Sequence, residues 1–225
     1  MTVNFSVTMD VDDMEGNVVL VYLIPQNPPP YNNDIFHPWQ VLAASAGSTE
    51  YFNFEPTISA DVTSVSDGNT IVSERMSVQP GELLAAISPD GLSPMLQLAQ
   101  PQLAQENVTP EQCGIIDQTD PFIQFKCNWY VNDKPVLTTL VGAAYEKIRT
   151  FEYTPNFFGF IVASPPLGSL SHAEQDFSTI VGQQVSPTIK FFMPMTNYTM
   201  PATATDVAVT LTKVQGQWTF SFNAS

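Results

Sequence analysis

Histidine and cysteine are nearly absent from this chain, with two of each in 225 residues, and basic side chains are scarce: seven Lys and Arg stand against 22 Asp and Glu. Each scarcity removes a class of function. Cys113 and Cys127 are too few and too widely spaced for a zinc-ligand framework or a disulfide scaffold, and they read as free thiols. His37 in "IFHPWQ" and His172 in "SLSHAEQDF" supply no pair at zinc spacing. A net charge of −15 leaves no basic stripe for a phosphate backbone or anionic lipid, so nucleic acid is not an expected partner. The longest apolar run, Val18 to Ile24, is too short to cross a bilayer, so no membrane-spanning segment is expected. The opening "MTVNFSVTMDV" has neither a basic n-region nor an unbroken apolar h-region. The expected location is therefore cytoplasmic, or outside the cell by a route without a cleaved signal peptide. A Gly-rich phosphate loop, a Rossmann fingerprint and a Gly-x-Ser-x-Gly elbow are also missing.

Charged residues make up only 13% of the chain, against 44% apolar and 11% aromatic, a balance that favours folding despite the acidity. A chain of this length buries roughly 70–75% of its unfolded surface, enough for a core without disulfides or metal. Alternation with a period of two is the main structural signal. Val3, Phe5, Val7, Met9 and Val11 form one apolar face of a strand over 3–11, and Val18 to Ile24 reads as a strand covered on both sides. Together they predict a hairpin across the turn between them. The same pattern returns at Phe52, Phe54, Ile58, Ala60 and Val62, followed by the turn Asp67-Gly68-Asn69 and a return strand through Ile71 to Val78. Ile123, Phe125, Cys127, Trp129 and Val131 place Cys127 on a core face as an inert thiol. A last hairpin joins Val207–Leu211 to Trp218–Phe222 with Gly216 at the bend. Nineteen prolines leave room only for short helices, near Pro80–Ile87, Leu96–Gln105 and Leu140–Lys147. The expected architecture is all-β, an antiparallel, Greek-key-like β-sandwich with a few short helices. It is expected as one domain over 1–225, with a sub-division near the Gln- and Pro-rich stretch 96–120 as the alternative.

The stretch "MDVDDMEGN" gathers Asp10, Asp12, Asp13 and Glu15. An EF-hand loop opened at Asp10 would need Gly sixth and Glu twelfth, where Glu15 and Val21 stand. Two readings stay open: these four acids hold calcium from a turn tip, or they form a solvated acidic turn. Ser171, His172, Glu174 and Asp176 do not make a triad, because adjacent side chains on an extended segment point apart. Among the aromatic clusters "FHPW", "YFNF", "NWY" and "NFFGF", Trp39 and Tyr130 are the rings whose context leaves them available to a carbohydrate ligand. Four Asn-x-Ser/Thr triplets, at Asn4, Asn107, Asn197 and Asn223, read as chance matches.

In layout, the chain resembles the rhizosphere-induced protein RhiA family. The resemblance rests on "VVLVYLIPQNPP" at Val18–Pro29, "HPWQVLAASAGSTEYFNFEPTISADV" at His37–Val62, "EYTPNFFGFIVAS" at Glu152–Ser164 and "TATDVAVTLTKVQGQWTFSF" at Thr203–Phe222. It implies a small β-rich protein without enzymatic activity, produced under quorum or developmental control and involved in dealings between the producer and its surroundings. The Gln-rich segment 96–120 departs from that layout. Three functional expectations follow: recognition of a glycan-type ligand with calcium as an aid, self-association into a homo-oligomer, or hydrolysis by paired carboxylates in an acidic cleft. The first, non-enzymatic, is the leading one.

Overall fold

A computed structural model describes residues 2–25, 34–55, 57–119, 124–141, 148–152, 157–164, 190–191, 193 and 195–225. Of the described residues, 60% are strand and 4% helix, an all-β, sandwich-like fold, as the alternation predicts. It clusters into two compact units interleaved in sequence. Met1–Ile24, Phe36–Pro56 and Pro155–Ser225 make the first, and Pro25–Ile35 with Thr57–Thr154 make the second. The Gln- and Pro-rich stretch 96–120 lies inside the second unit.

In the first unit, β19 (Gln217–Ala224), β18 (Asp206–Val214), β1 (Val3–Asp10) and β5 (Thr49–Phe54) form a sheet in that order. A second sheet runs β16 (Lys190–Phe191), β15 (Phe157–Ser164), β2 (Val18–Leu23), β4 (Gln40–Leu42), with β17 (Thr196–Thr199) also on β15. Val3, Phe5, Val7 and Met9 are buried in the predicted phase, and all six residues of β2 are buried. Aromatic rings join the two sheets: Phe5 stacks on Phe52 at 4.8 Å and meets Phe158 of the other sheet at 4.9 Å, while Phe160 reaches Phe220 at 5.6 Å. Each such pair adds about 0.5–1.5 kcal/mol to the burial of its area.

The predicted hairpin of the first two strands does not form. β1 is held between β18 and β5, and β2 between β15 and β4, so the chain between them arches from one sheet to the other. Both strands must bury apolar residues in one core, and they do so from opposite sides of it. The β18–β19 hairpin does form, across Gln215 and Gly216 at φ 51° and 80°.

In the second unit one sheet runs β3 (Ile35–Phe36), β13 (Lys134–Val141), β12 (Phe125–Val131), β6 (Ile58–Ser66), β7 (Asn69–Val72), with β8 (Met76–Val78) also on β6. The other runs β10 (Met95–Leu98), β9 (Leu83–Ile87), β11 (Gln112–Gln118), β14 (Ile148–Glu152). The expected Asp67-Gly68 hairpin joins β6 and β7 with φ of 50° and 78°. Its return strand is split in two, and Ser73 Oγ in the gap accepts from the Val62 amide at 3.0 Å. A hairpin that the sequence reading overlooked joins β12 and β13 through Asn132 and Asp133, both at positive φ (51° and 61°). The continuous alternation over 52–62 is two strands, β5 in the first unit and β6 in the second.

Of the three helical candidates, the described residues show one helix, α1 (Pro101–Asn107), opened by its proline. The segment expected to be helical near 80–87 is instead the inner strand β9, since its buried run Leu83–Ala86 reads alike as strand or helix. Leu140 closes β13, with Val141, and 142–147 lie outside the described residues, as does Ile123. Leu103 and Ala104 of α1 cover Leu83, Ala85 and Ile116. Cys113 and Cys127 are free thiols and Cys127 is buried, as expected; Cys113 is buried too, and burial pushes both thiols up, Cys113 to about 12.

Phe158 is fully buried against Phe5, Trp39 and Phe54. Phe158→Ala is expected to lower the stability of the chain by about 3–5 kcal/mol in urea unfolding. Tyr51→Ala, at a ring 75% exposed, should stay within about 0.5 kcal/mol of the parent.

Candidate functional site

Strand β12 positions the site. Because Phe125, Cys127, Trp129 and Val131 are buried, Lys126, Asn128 and Tyr130 are sent to the opposite face of the sheet. Register places Asn128 between Asp61 of β6 and Thr138 of β13, and Lys126 beside Thr63. The result is a polar row across three adjacent strands.

Asn128 Nδ2 donates to Asp61 Oδ1 at 2.7 Å and to Thr63 Oγ1 at 3.0 Å, while Thr138 Oγ1 donates to Asn128 Oδ1 at 2.9 Å. The amide is thus fixed in orientation by partners on both sides. Asp61 is buried although it faces away from the core, because Arg75, from the bend between β7 and β8, lies over this end of the sheet. The Arg75 guanidinium sits 3.5 Å from the Tyr130 ring centroid, with Nε 3.8 Å from Asp61 Oδ2 and Nη1 3.6 Å from Asp133 Oδ1. Both ion pairs are longer than hydrogen bonds, so the guanidinium is placed chiefly by stacking and long-range attraction. Burial, and then the hydrogen bond to Asp61, raise the Tyr130 hydroxyl above its ordinary value and keep it a donor at neutral pH. A carboxylate, an oriented amide, a guanidinium, hydroxyls and a ring therefore share one rigid face. That set offers paired donors and acceptors to a polyhydroxylated ligand.

The sequence-predicted residues part company. Tyr130 belongs to this face and is half-buried. Trp39 lies in the core of the first unit, 2% exposed, with its ring edge-on to Phe52 and Phe54 at 5.5 Å each, so it presents no ring face to a ligand. Asp10, Asp12, Asp13 and Glu15 are exposed around the arch after β1, where Asp13 Oδ1 accepts from the Glu15 amide at 2.8 Å and Met14 is buried beneath. Among the described residues no group of three or more His, Cys, Asp or Glu converges as a metal site. Ser171, His172, Glu174 and Asp176 lie outside the described residues.

Among the described residues of the second unit, one carboxyl is shifted upward, as a hydrolase would need, but it is closed off from solvent. Asp117 is fully buried on β11. The Thr119 amide and hydroxyl donate to its Oδ1 at 3.0 and 2.6 Å, Oδ2 has no partner among the described residues, and burial raises the carboxyl. Asp61, Arg75 and Thr138 escaped the sequence reading. An acid inside the β-branched run "SADVTSV" was the one available signal; its partner is set by cross-strand register.

No protein-family model, no curated protein and no solved structure matches the chain. The chemistry of the face is therefore read from its own geometry.

Millimolar calcium is expected to leave the melting temperature unchanged, since an ion bound only by the folded chain would raise it. For Asp117 the sign is opposite to that of a paired surface acid. Its folded pKa is above the unfolded value, so ionisation costs stability; the cost appears as pH rises through the ordinary value of about 3.9 and persists at neutrality. Asp117→Asn should raise the melting temperature at neutral pH, with the gain shrinking as the pH falls toward that value.

Proposed function

We propose that the protein is a non-enzymatic recognition module whose second unit binds a glycan-type ligand on the sheet face around Asp61, Arg75, Asn128 and Tyr130. The observation that carries this is the Asp61–Asn128–Thr138 hydrogen-bond row with Arg75 laid on Tyr130 at its end. Sugar hydroxyls donate and accept at once, so a site for them needs an oriented acceptor, an oriented amide and a forked donor. Strands hold such groups in place before the ligand arrives, which cuts the ordering cost of binding. Arg75 suits the role because its side chain is 38% exposed and its two ion pairs are long, so it can add ligand hydrogen bonds without breaking short ones. The layout resemblance to RhiA family proteins points the same way, toward dealings between a producer and its surroundings. Calcium has no part in this mode of binding. A second reading, self-association, is favoured by a specific feature of β19 developed below.

A glycan array with the purified chain, run with calcium and with chelator, tests the proposal. Binding is expected in both conditions. Asn128→Ala and Tyr130→Ala should each weaken the best hit by about tenfold or more, the equivalent of about 1.4 kcal/mol, with the melt showing that both variants fold. An array without hits, or hits that both variants retain, would refute it.

A further inference from the structure

An edge strand presents a row of unpaired amides and carbonyls, and proteins guard such edges with charge, proline, bulges or brevity. Most edges here are guarded. β5 carries Glu50, β14 carries Arg149 and Glu152, β7 and β10 have four residues each, and β3 and β16 have two. β19 is the exception. Its eight residues, "QWTFSFNA", contain no charge, proline or glycine, and it pairs with β18 from Gln217 to Ala224 without a shift of register. Among the described residues no strand covers its other edge.

We propose that β19 pairs antiparallel with β19 of a second copy, joining two four-stranded sheets into one of eight. In a chain of net charge −15, two copies repel each other over most of their surface, so an uncharged strand is where they can meet. The alternation of the strand suits its own copy. To keep polar face with polar face, Phe220 must sit opposite Phe220 or Phe222 of the second copy, which sets Thr219 against Ser221, or Ser221 against Ser221. Aromatic then meets aromatic on one face and hydroxyl meets hydroxyl on the other.

Sedimentation equilibrium of the full chain at neutral pH and physiological salt tests this directly. The parent should show a concentration-dependent dimer. Ser221→Lys, at an exposed position on the polar face, places a like charge at the pairing line in both copies and should weaken the dimer at least tenfold. Tyr51→Lys, on the far edge of the same sheet, should leave it unchanged, and thermal melts should show both variants folded. A parent that stays monomeric at its highest soluble concentration would overturn the proposal. So would a Ser221→Lys variant that dimerises like the parent, or dissociation caused by Tyr51→Lys alone. Glycan binding per chain should survive Ser221→Lys, so this proposal can fail while the recognition reading stands, and the reverse.

Discussion

Burial of every second residue of β12 is the constraint on which the rest of the second unit depends. Phe125, Cys127, Trp129 and Val131 have no stable place outside the core, so the strand cannot slip by one residue without exchanging its two faces. That one requirement aims Asn128 and Tyr130 outward and sets Asn128 opposite Asp61 and Thr138. The hydrogen-bond row follows from the register, and Arg75 follows from the row, since Asp61 and the Tyr130 ring give it both charge and surface to lie on. The polar face is thus a by-product of the apolar one.

Two buried acids show how environment divides one residue type. Asp61 lies against an amide and a guanidinium, and its charge is met from two sides. Among the described residues Asp117 has only Thr119 as a hydrogen-bond partner, on one of its two oxygens, so burial dominates and its carboxyl is raised. The first lies on an outward sheet face, whereas the second is shut inside the second unit. In a chain with seven basic residues, Arg75 offsets one of the two formal charges of Asp61 and Asp133.

The first unit rests on a different arrangement of the same physics. Its aromatic rings come from both sheets and meet in one interior, with Phe158 among Phe5, Phe54 and Trp39. This explains why Trp39, next to a proline and in a ring-rich stretch, is core and not surface: its backbone amide donates to Val21 O at 2.8 Å, which ties the segment to β2, and its ring packs among Phe52, Phe54 and Phe158. It also explains why β1 and β2 oppose each other across the core when they could have paired.

From the sequence alone, the period of two identified several of the strands and their buried sides, as in β1, β12, β18 and β19, and Gly or Asp at positive φ marked the turns at 67–68 and 215–216. These are local properties, because a strand's faces and a tight turn's backbone depend on a few adjacent residues. Which strands pair is not local. The arch after β1, the inner strand β9 in place of a helix, the division at 56–57 and the juxtaposition of Asp61, Arg75, Asn128 and Tyr130 each depend on partners dozens of residues away. Alternation says which way a side chain faces and nothing about which strand lies beside it. Only the tertiary structure, where each ladder and each apolar face must be completed at once, decides that.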